Sequence, residues 1–193
     1  MKKTVLIAVV IITLAAIGVV VFRKRGEGGV AAREETNISV AEEKALPDLG
    51  EAPDFTLKNY AGETVRLSAI AGGKAAVVNS WAVWCPFCRD ELSDFARLQQ
   101  EFGENVVVVA VDRAESLEKA KGFTDQLGVS DDLTFLLDPQ DAFYRSIGGF
   151  SMPETIFVDH AGRIRIHKRG PMDFAEMKEK VAQLIEMSSN VRN

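Results

Sequence analysis

Cysteine is nearly absent from this 193-residue chain, which holds only Cys85 and Cys88. Two cysteines separated by a single dipeptide cannot supply the long cross-links of a small disulfide-stabilised secreted domain. Histidine is equally scarce, with His160 and His167 alone. Together with the cysteines they make four nominal zinc ligands. The histidines lie far down the chain, however, with no second metal-rich cluster, so no metal site is expected. An excess of positive charge is also missing. The formal net charge is −5, which argues against a general nucleic-acid binder, because phosphate binding depends on a Lys/Arg surface. Apolar residues at 47% and charged residues at 26% are ordinary for a globular protein and give no sign of general disorder.

The length suits one domain of about 140 to 150 residues plus an N-terminal extension. That extension begins with Lys2-Lys3, runs through the eighteen residues Val5 to Phe22 with Thr13 as the main polar interruption, and closes on Arg23-Lys24-Arg25. At about 1.5 Å per residue the run approaches the hydrocarbon thickness of a bilayer. A retained transmembrane anchor over 5–22 is therefore expected. Cleavage after Val30-Ala31-Ala32 is the competing reading. Basic residues flank both ends, so charge asymmetry does not fix the topology. Residues 23–45, with glycine, alanine and alternating charges, read as a spacer, 46–187 as the folded domain and 188–193 as a tail.

Within the domain, Pro53 to Leu57 and Thr64 to Leu67 read as two short strands around a turn at Asn59 to Gly62, an N-terminal hairpin. Ala75 to Ser80 is an apolar strand that delivers the chain to Trp81-Ala82-Val83-Trp84 and the cysteines. From Pro86, the spacing of Leu92, Phe95, Leu98 and Phe102 predicts an amphipathic helix ending at Gly103. Val106 to Val111 suits a buried strand, Ser116 to Leu127 a helix and Thr134 to Leu137 a further strand. Asp138 is placed to cap a helix opening at Pro139 with Ala142, Phe143 and Ile147 on its apolar side. Thr155 to Val158 and Arg163 to His167 form an expected antiparallel pair. A last helix follows Asp173 and Glu176, with Phe174, Met177, Val181, Leu184 and Ile185 on one face.

A Cys-x-x-Cys pair that follows an apolar strand and opens a helix is a thiol-redox signal. Two intervening residues let the sulfurs close a small ring. Cys85 is expected in the cap region, where free backbone donors and the positive end of the helix favour a thiolate, and Cys88 one turn later. The bland alternative is a pair of inert core cysteines, with Pro86 only a good first-turn residue.

The block Trp81-Ala82-Val83-Trp84-Cys85-Pro86-Phe87-Cys88-Arg89, followed by Glu91, resembles the active site of the extracytoplasmic thioredoxin-like proteins of the TlpA/ResA group, especially the CcmG/DsbE cytochrome c maturation proteins. Pro153-Glu154-Thr155-Ile156-Phe157-Val158-Asp159 resembles their later block. The likeness runs from about Pro53 to the last helix. It implies an α/β thioredoxin-like fold with a mixed central sheet, an N-terminal hairpin and a central βα insertion, preceded by one transmembrane helix that leaves the domain outside the cytoplasm. It also implies that Cys85 is the exposed attacking thiol and Cys88 the shielded resolving one. Asn79 stands where cytoplasmic thioredoxins carry a buried aspartate, and Glu91 matches the acid of the group pattern. Glu91 then either relays a proton for Cys88 or simply complements the helix start.

Met152-Pro153 matches a cis-proline position whose backbone faces the cysteines. In the trans alternative Pro153 only punctuates the loop. Met152 departs from the smaller or β-branched residues of relatives and offers a flexible apolar contact. Trp84 and Phe87 are expected to rim the site and Trp81 to be largely structural. Glu154 is either part of the substrate mouth or a surface charge.

The activity implied is protein thiol-disulfide exchange, in the direction of reducing cysteines in an exported protein such as an apocytochrome c, with electrons from a membrane thiol-electron transporter. The Cys85–Cys88 couple itself serves as the redox group, with no other cofactor. A thioredoxin-fold peroxidase and a non-catalytic assembly chaperone are the alternatives. The first is distinguished by sulfenic acid formation at Cys85, the second by binding that survives loss of both cysteines.

Overall fold

The computed structural model describes residues 46–190. The expected anchor at 5–22 and the whole spacer at 23–45 lie outside the described residues. Among the described residues no helix is long and apolar enough to cross a membrane.

Seven strands form one sheet: β1 (Thr56–Asn59), β2 (Thr64–Arg66), β3 (Ala75–Trp81), β4 (Val106–Arg113), β5 (Thr134–Asp138), β6 (Glu154–Val158) and β7 (Ile164–Arg169). Their order is β2-β1-β5-β4-β3-β6-β7. The pairs β3–β4 and β4–β5 are parallel, and every other pair is antiparallel. Among the described residues the helices are α1 (Leu67–Ala71), α2 (Cys88–Phe102), α3 (Leu117–Leu127), α4 (Ala142–Ser146) and α5 (Phe174–Asn190). This is a thioredoxin-like α/β fold with a mixed sheet. The insertion is α3 with β5, which lies between β4 and the β1–β2 hairpin.

The middle of the sheet is apolar on both faces, as a helix-covered parallel core requires. β3 is buried at every position. Its alternate residues divide between two cores. Ala76 and Val78 join Val109, Val111, Ile156 and Val158 under Leu67 and Phe143. Ala75 and Val77 join Val106, Val108 and Phe157 under Phe95 and Leu98 of α2 and Met177, Val181 and Leu184 of α5. Burying each of the larger of these side chains, from valine upward, contributes about 1.5–3 kcal/mol.

α2 carries the exposed Asp90 in its first turn, where a negative charge complements the helix dipole. It stops at Gly103, which remains in the right-handed region. A Cβ there would come within 2.6 Å of the Gln99 carbonyl oxygen. Gln99 fastens this end of the helix to β4, accepting from Val108 N–H at 2.7 Å and donating to Val106 O at 3.3 Å.

Three boundaries differ from expectation, each because a side chain is used elsewhere. α1 was not expected: Asp54 accepts from the Ser68 N–H at 3.0 Å and the Ser68 hydroxyl at 3.1 Å, so it caps a turn of helix instead of extending β1. The fourth helix opens at Ala142, not Pro139. Asp138 still belongs to β5, and its carboxylate reaches forward to the Phe143 N–H at 2.8 Å. At α5 Asp173 accepts from Glu176 N–H at 2.8 Å, but Glu176 turns to Lys168 and does not complete a reciprocal cap. That helix extends to Asn190, past the expected start of the tail.

Candidate active site

β3 ends at Trp81, and a short turn carries the chain from there to the helix. Cys85 N–H donates to Ala82 O at 3.1 Å, and Cys88 N–H to Cys85 O at 3.3 Å. Cys88 is the first residue of α2, with Phe87 at its cap. Cys85 therefore lies one turn before the helix, slightly earlier than its expected cap position. The two sulfurs are joined in a disulfide with Cα atoms 5.4 Å apart. Both residues are buried in this form, Cys85 at 2% exposure and Cys88 at 0%. The solvent-facing surface beside them belongs to Trp84 and Phe87, exposed at 59% and 55%, with Pro86 between Cys85 and Phe87.

The sulfurs sit in an apolar cluster with Trp81, Ala82, Leu92, Ala96, Ala110, Ala120, Phe123 and Phe135, against which Met152 packs. Trp81 is fully buried, stacked on Phe123 with centroids 5.8 Å apart and edge-on to Phe135 at 6.0 Å. The Met152–Pro153 peptide bond is cis. The strand that follows, β6, pairs with β3 from Ser80↔Glu154 onward. That register brings the Met152-Pro153 loop to the same end of the sheet as the cysteines.

Glu91 lies one helical turn after Cys88, a spacing that puts both on one face of α2 with Cβ atoms about 5–6 Å apart. Its side chain is 2% exposed. One carboxyl oxygen accepts from Met172 N–H at 2.9 Å, and the other has no hydrogen-bond partner among the described residues. Burial pushes its pKa up to about 8, against the partial relief given by the Met172 N–H, Asn79 and Lys168. Glu91 is thus mostly protonated at neutral pH in the disulfide form. Asn79, on β3, donates to Thr155 Oγ1 at 3.0 Å.

Glu154 is not on the surface. It is fully buried, and Oε2 accepts from the N–H groups of Phe150 at 2.8 Å and Ser151 at 3.1 Å. Oε1 accepts from Arg169 Nε at 3.1 Å and lies 2.7 Å from His167 Nε2, off the line a hydrogen bond needs. The carboxylate therefore shapes the loop that leads to Met152.

A second acidic pair was not foreseen. Asp112, the penultimate residue of β4, lies opposite Trp81 and is fully buried. Burial first, then the Glu115 carboxylate, push its pKa to about 8. Burial also works against Glu115, but Lys119, the Val83 N–H and Asp112 outweigh it and hold Glu115 below the ordinary range. Glu115 accepts from Val83 N–H at 2.7 Å and pairs with Lys119, so it fixes the turn between Trp81 and Cys85. The sequence signal was an acid closing a β-branched run, with another acid three residues on.

A buried dithiol couple at the start of a helix, beside a cis-proline loop and a raised carboxyl, defines a thioredoxin-fold thiol-disulfide oxidoreductase. Comparison with known proteins agrees. The AhpC/TSA family profile matches residues 50–167. Thioredoxin-like protein YneN of Bacillus subtilis is 36% identical over 135 residues, which are 68% of this chain and 76% of the relative. Thiol:disulfide interchange protein DsbE of Escherichia coli K12 is 28% identical over 98% of this chain and 97% of its own. A crystal structure of a putative DsbE from Chlorobium tepidum superposes with a TM-score of 0.65 at 26% identity, covering 74% of this chain and 98% of that one. The chain belongs to the AhpC/TSA family, within its DsbE/ResA/CcmG-type thiol-disulfide oxidoreductases. Its redox group is the Cys85–Cys88 disulfide.

Proposed function

We propose that this protein reduces disulfides in exported polypeptides, with an apocytochrome c heme-attachment segment as the favoured substrate class. The observation that carries the reading is the buried Cys85–Cys88 couple with Glu91 one turn beyond it on the same helix.

The Cys85 thiolate attacks one sulfur of the substrate disulfide. An S–S bond forms between them, the substrate S–S bond breaks, and the second substrate sulfur leaves as a thiolate that takes a proton from solvent. Cys88 then attacks Cys85 Sγ, releasing the first substrate sulfur and forming the Cys85–Cys88 disulfide. The substrate has gained two electrons and the protein has lost two. Cys85 is suited to the first attack because it precedes the helix and keeps the only residual exposure of the pair. Cys88 must lose its proton within a closed environment. Glu91 is placed to take it, since a carboxyl near 8 is matched to a thiol of ordinary pKa about 8.5. The protonated Glu91 of the disulfide form is the state that follows this transfer.

Trp84, Pro86, Phe87 and Met152 form the apolar contact for the substrate chain, and the Met152-Pro153 backbone offers it polar groups. Glu154 supports that surface from below. Trp81 and Asn79 maintain the site. Residues 5–22 anchor the chain as a single-pass protein of the cell membrane, with the domain outside the cytoplasm and 23–45 as reach. The apolar Val5–Phe22 run and the near full-length alignment with the Escherichia coli protein support this placement. Reuse requires two electrons from a dithiol donor, for which a membrane thiol-electron transporter is the partner class.

Trapping tests the reading. Reduced Cys88→Ala should accumulate a mixed disulfide with an oxidised Cys-x-x-Cys-His peptide through Cys85, and Cys85→Ala should not. Equal capture by both variants would sink the assignment of roles.

A further inference from the structure

Phe150 is the most exposed large apolar side chain among the described residues, at 85%. A single exposed apolar residue is ordinary on a protein surface. What sets this one apart is how firmly its backbone is held. Its N–H and that of Ser151 both donate to Oε2 of the buried Glu154. The Tyr144 hydroxyl donates to Ser151 O at 2.9 Å, and Gly149 lies so close to the Tyr144 ring that a Cβ there would come within 2.5 Å of it. The Arg113 guanidinium stacks 3.4 Å from the centroid of that ring, itself fixed by two bonds to Asp141 of 2.7 and 2.6 Å. Burying a carboxylate is costly, and here its amide contacts serve to hold the stretch that displays Phe150.

The loop also keeps the Phe150 backbone near the chemistry. Phe150 is two residues before Met152, which packs on the cysteine cluster, so their Cα atoms are at most about 7 Å apart. Residues two apart on one face of an extended chain are separated by about the same distance. A substrate strand that runs alongside this loop with its cysteine joined to Cys85 would carry the residue two positions away toward Phe150. An aromatic displayed to solvent from a fixed backbone is a partly preorganised anchor for an apolar contact.

We propose that Phe150 is a specificity-determining residue that receives an apolar side chain two positions from the attacked cysteine in an extended polypeptide substrate. The proposal rests on the thiol-disulfide reading of the site and concerns which substrates that site prefers.

The test uses the full chain and two disulfide peptides identical except for Leu or Ser two residues outside each cysteine. Exchange is followed in both directions, from reduced protein with oxidised peptide and from oxidised protein with reduced peptide. The parent should favour the Leu peptide by about tenfold in kcat/KM, carried by KM, and Phe150→Ser should erase that preference. Each ratio is taken within one variant, so a change in overall activity cancels. No preference in the parent, or the same preference in F150S, overturns the proposal while leaving the redox reading intact. A Leu preference lost in F150S, with peptides oxidised instead of reduced, supports it and overturns only the direction of electron flow. Absence of Cys85-dependent exchange with either peptide removes the redox reading and the proposal together.

Discussion

Replacing Glu91 with glutamine should change how stability depends on pH. In the disulfide form this buried carboxyl titrates near about 8, against an ordinary 4.5. Between those values the folded protein holds a proton that the unfolded chain has released. Stability therefore falls as pH rises, by about 1.4 kcal/mol per pH unit from this one group. The contribution is fully present below about 4.5 and lost as pH passes through about 8, a total on the order of 5 kcal/mol. That is a large share of a typical domain stability of about 5–15 kcal/mol. Glutamine is neutral throughout and keeps an oxygen for the Met172 N–H. Urea unfolding of the two disulfide forms, in half-unit steps from about pH 4.5 to 8.5, reads the difference directly. Parent minus E91Q should slope steadily against the parent from about pH 5 and level off above about 8. Asp112, which titrates in the same range, is common to both proteins and cancels. A difference independent of pH would refute the buried, proton-holding Glu91 on which the resolving step depends.

Other outcomes follow from the same geometry. Trp81→Ala removes a fully buried ring stacked on Phe123 and should cost about 3–5 kcal/mol by urea unfolding; a loss under about 1 kcal/mol would contradict its structural role. Glu154→Ala orphans the Phe150 and Ser151 N–H groups and an Arg169 contact. It should cost about 2–4 kcal/mol and speed amide exchange at 150 and 151, whereas unchanged exchange would remove Glu154 as the support of that loop. Asp112→Asn should gain stability over the parent as pH rises from the ordinary carboxylate range to about 8, since the proton held there is no longer required. A pH-independent offset between the two proteins would exclude that proton.

The parts of the fold that were legible in the sequence are those where one local pattern decides. The all-buried β3, the β-branched β4 and the spaced apolar faces of α2, α3 and α5 follow from periodicity and burial. Boundaries were lost where a polar side chain is recruited across the chain. Asp54 capping α1 and Asp138 reaching Phe143 both depend on contacts that spacing does not encode. At the site, Cys85 and Cys88 could be placed because a strand, a turn and a helix start fix their relation, whereas Glu91 was singled out by the family resemblance. The Asp112–Glu115 pair could not, because its position beside Val83 depends on the parallel register of β3 and β4. Glu154 shows the same limit. In the sequence it reads either as part of the substrate mouth or as a surface charge, and only the fold reveals that it is buried beneath the loop it organises.

The direction of electron flow is tested most directly by equilibrating the full chain in thiol-disulfide buffers of defined potential and then following transfer to an oxidised Cys-x-x-Cys-His peptide. A reductase should show a potential in the reducing range, near the roughly −270 mV of thioredoxin, and should reduce the peptide only when Cys85 is present. A potential near the roughly −120 mV of a strong disulfide-forming oxidant, with rapid donation of the Cys85–Cys88 disulfide to reduced peptide, would contradict it.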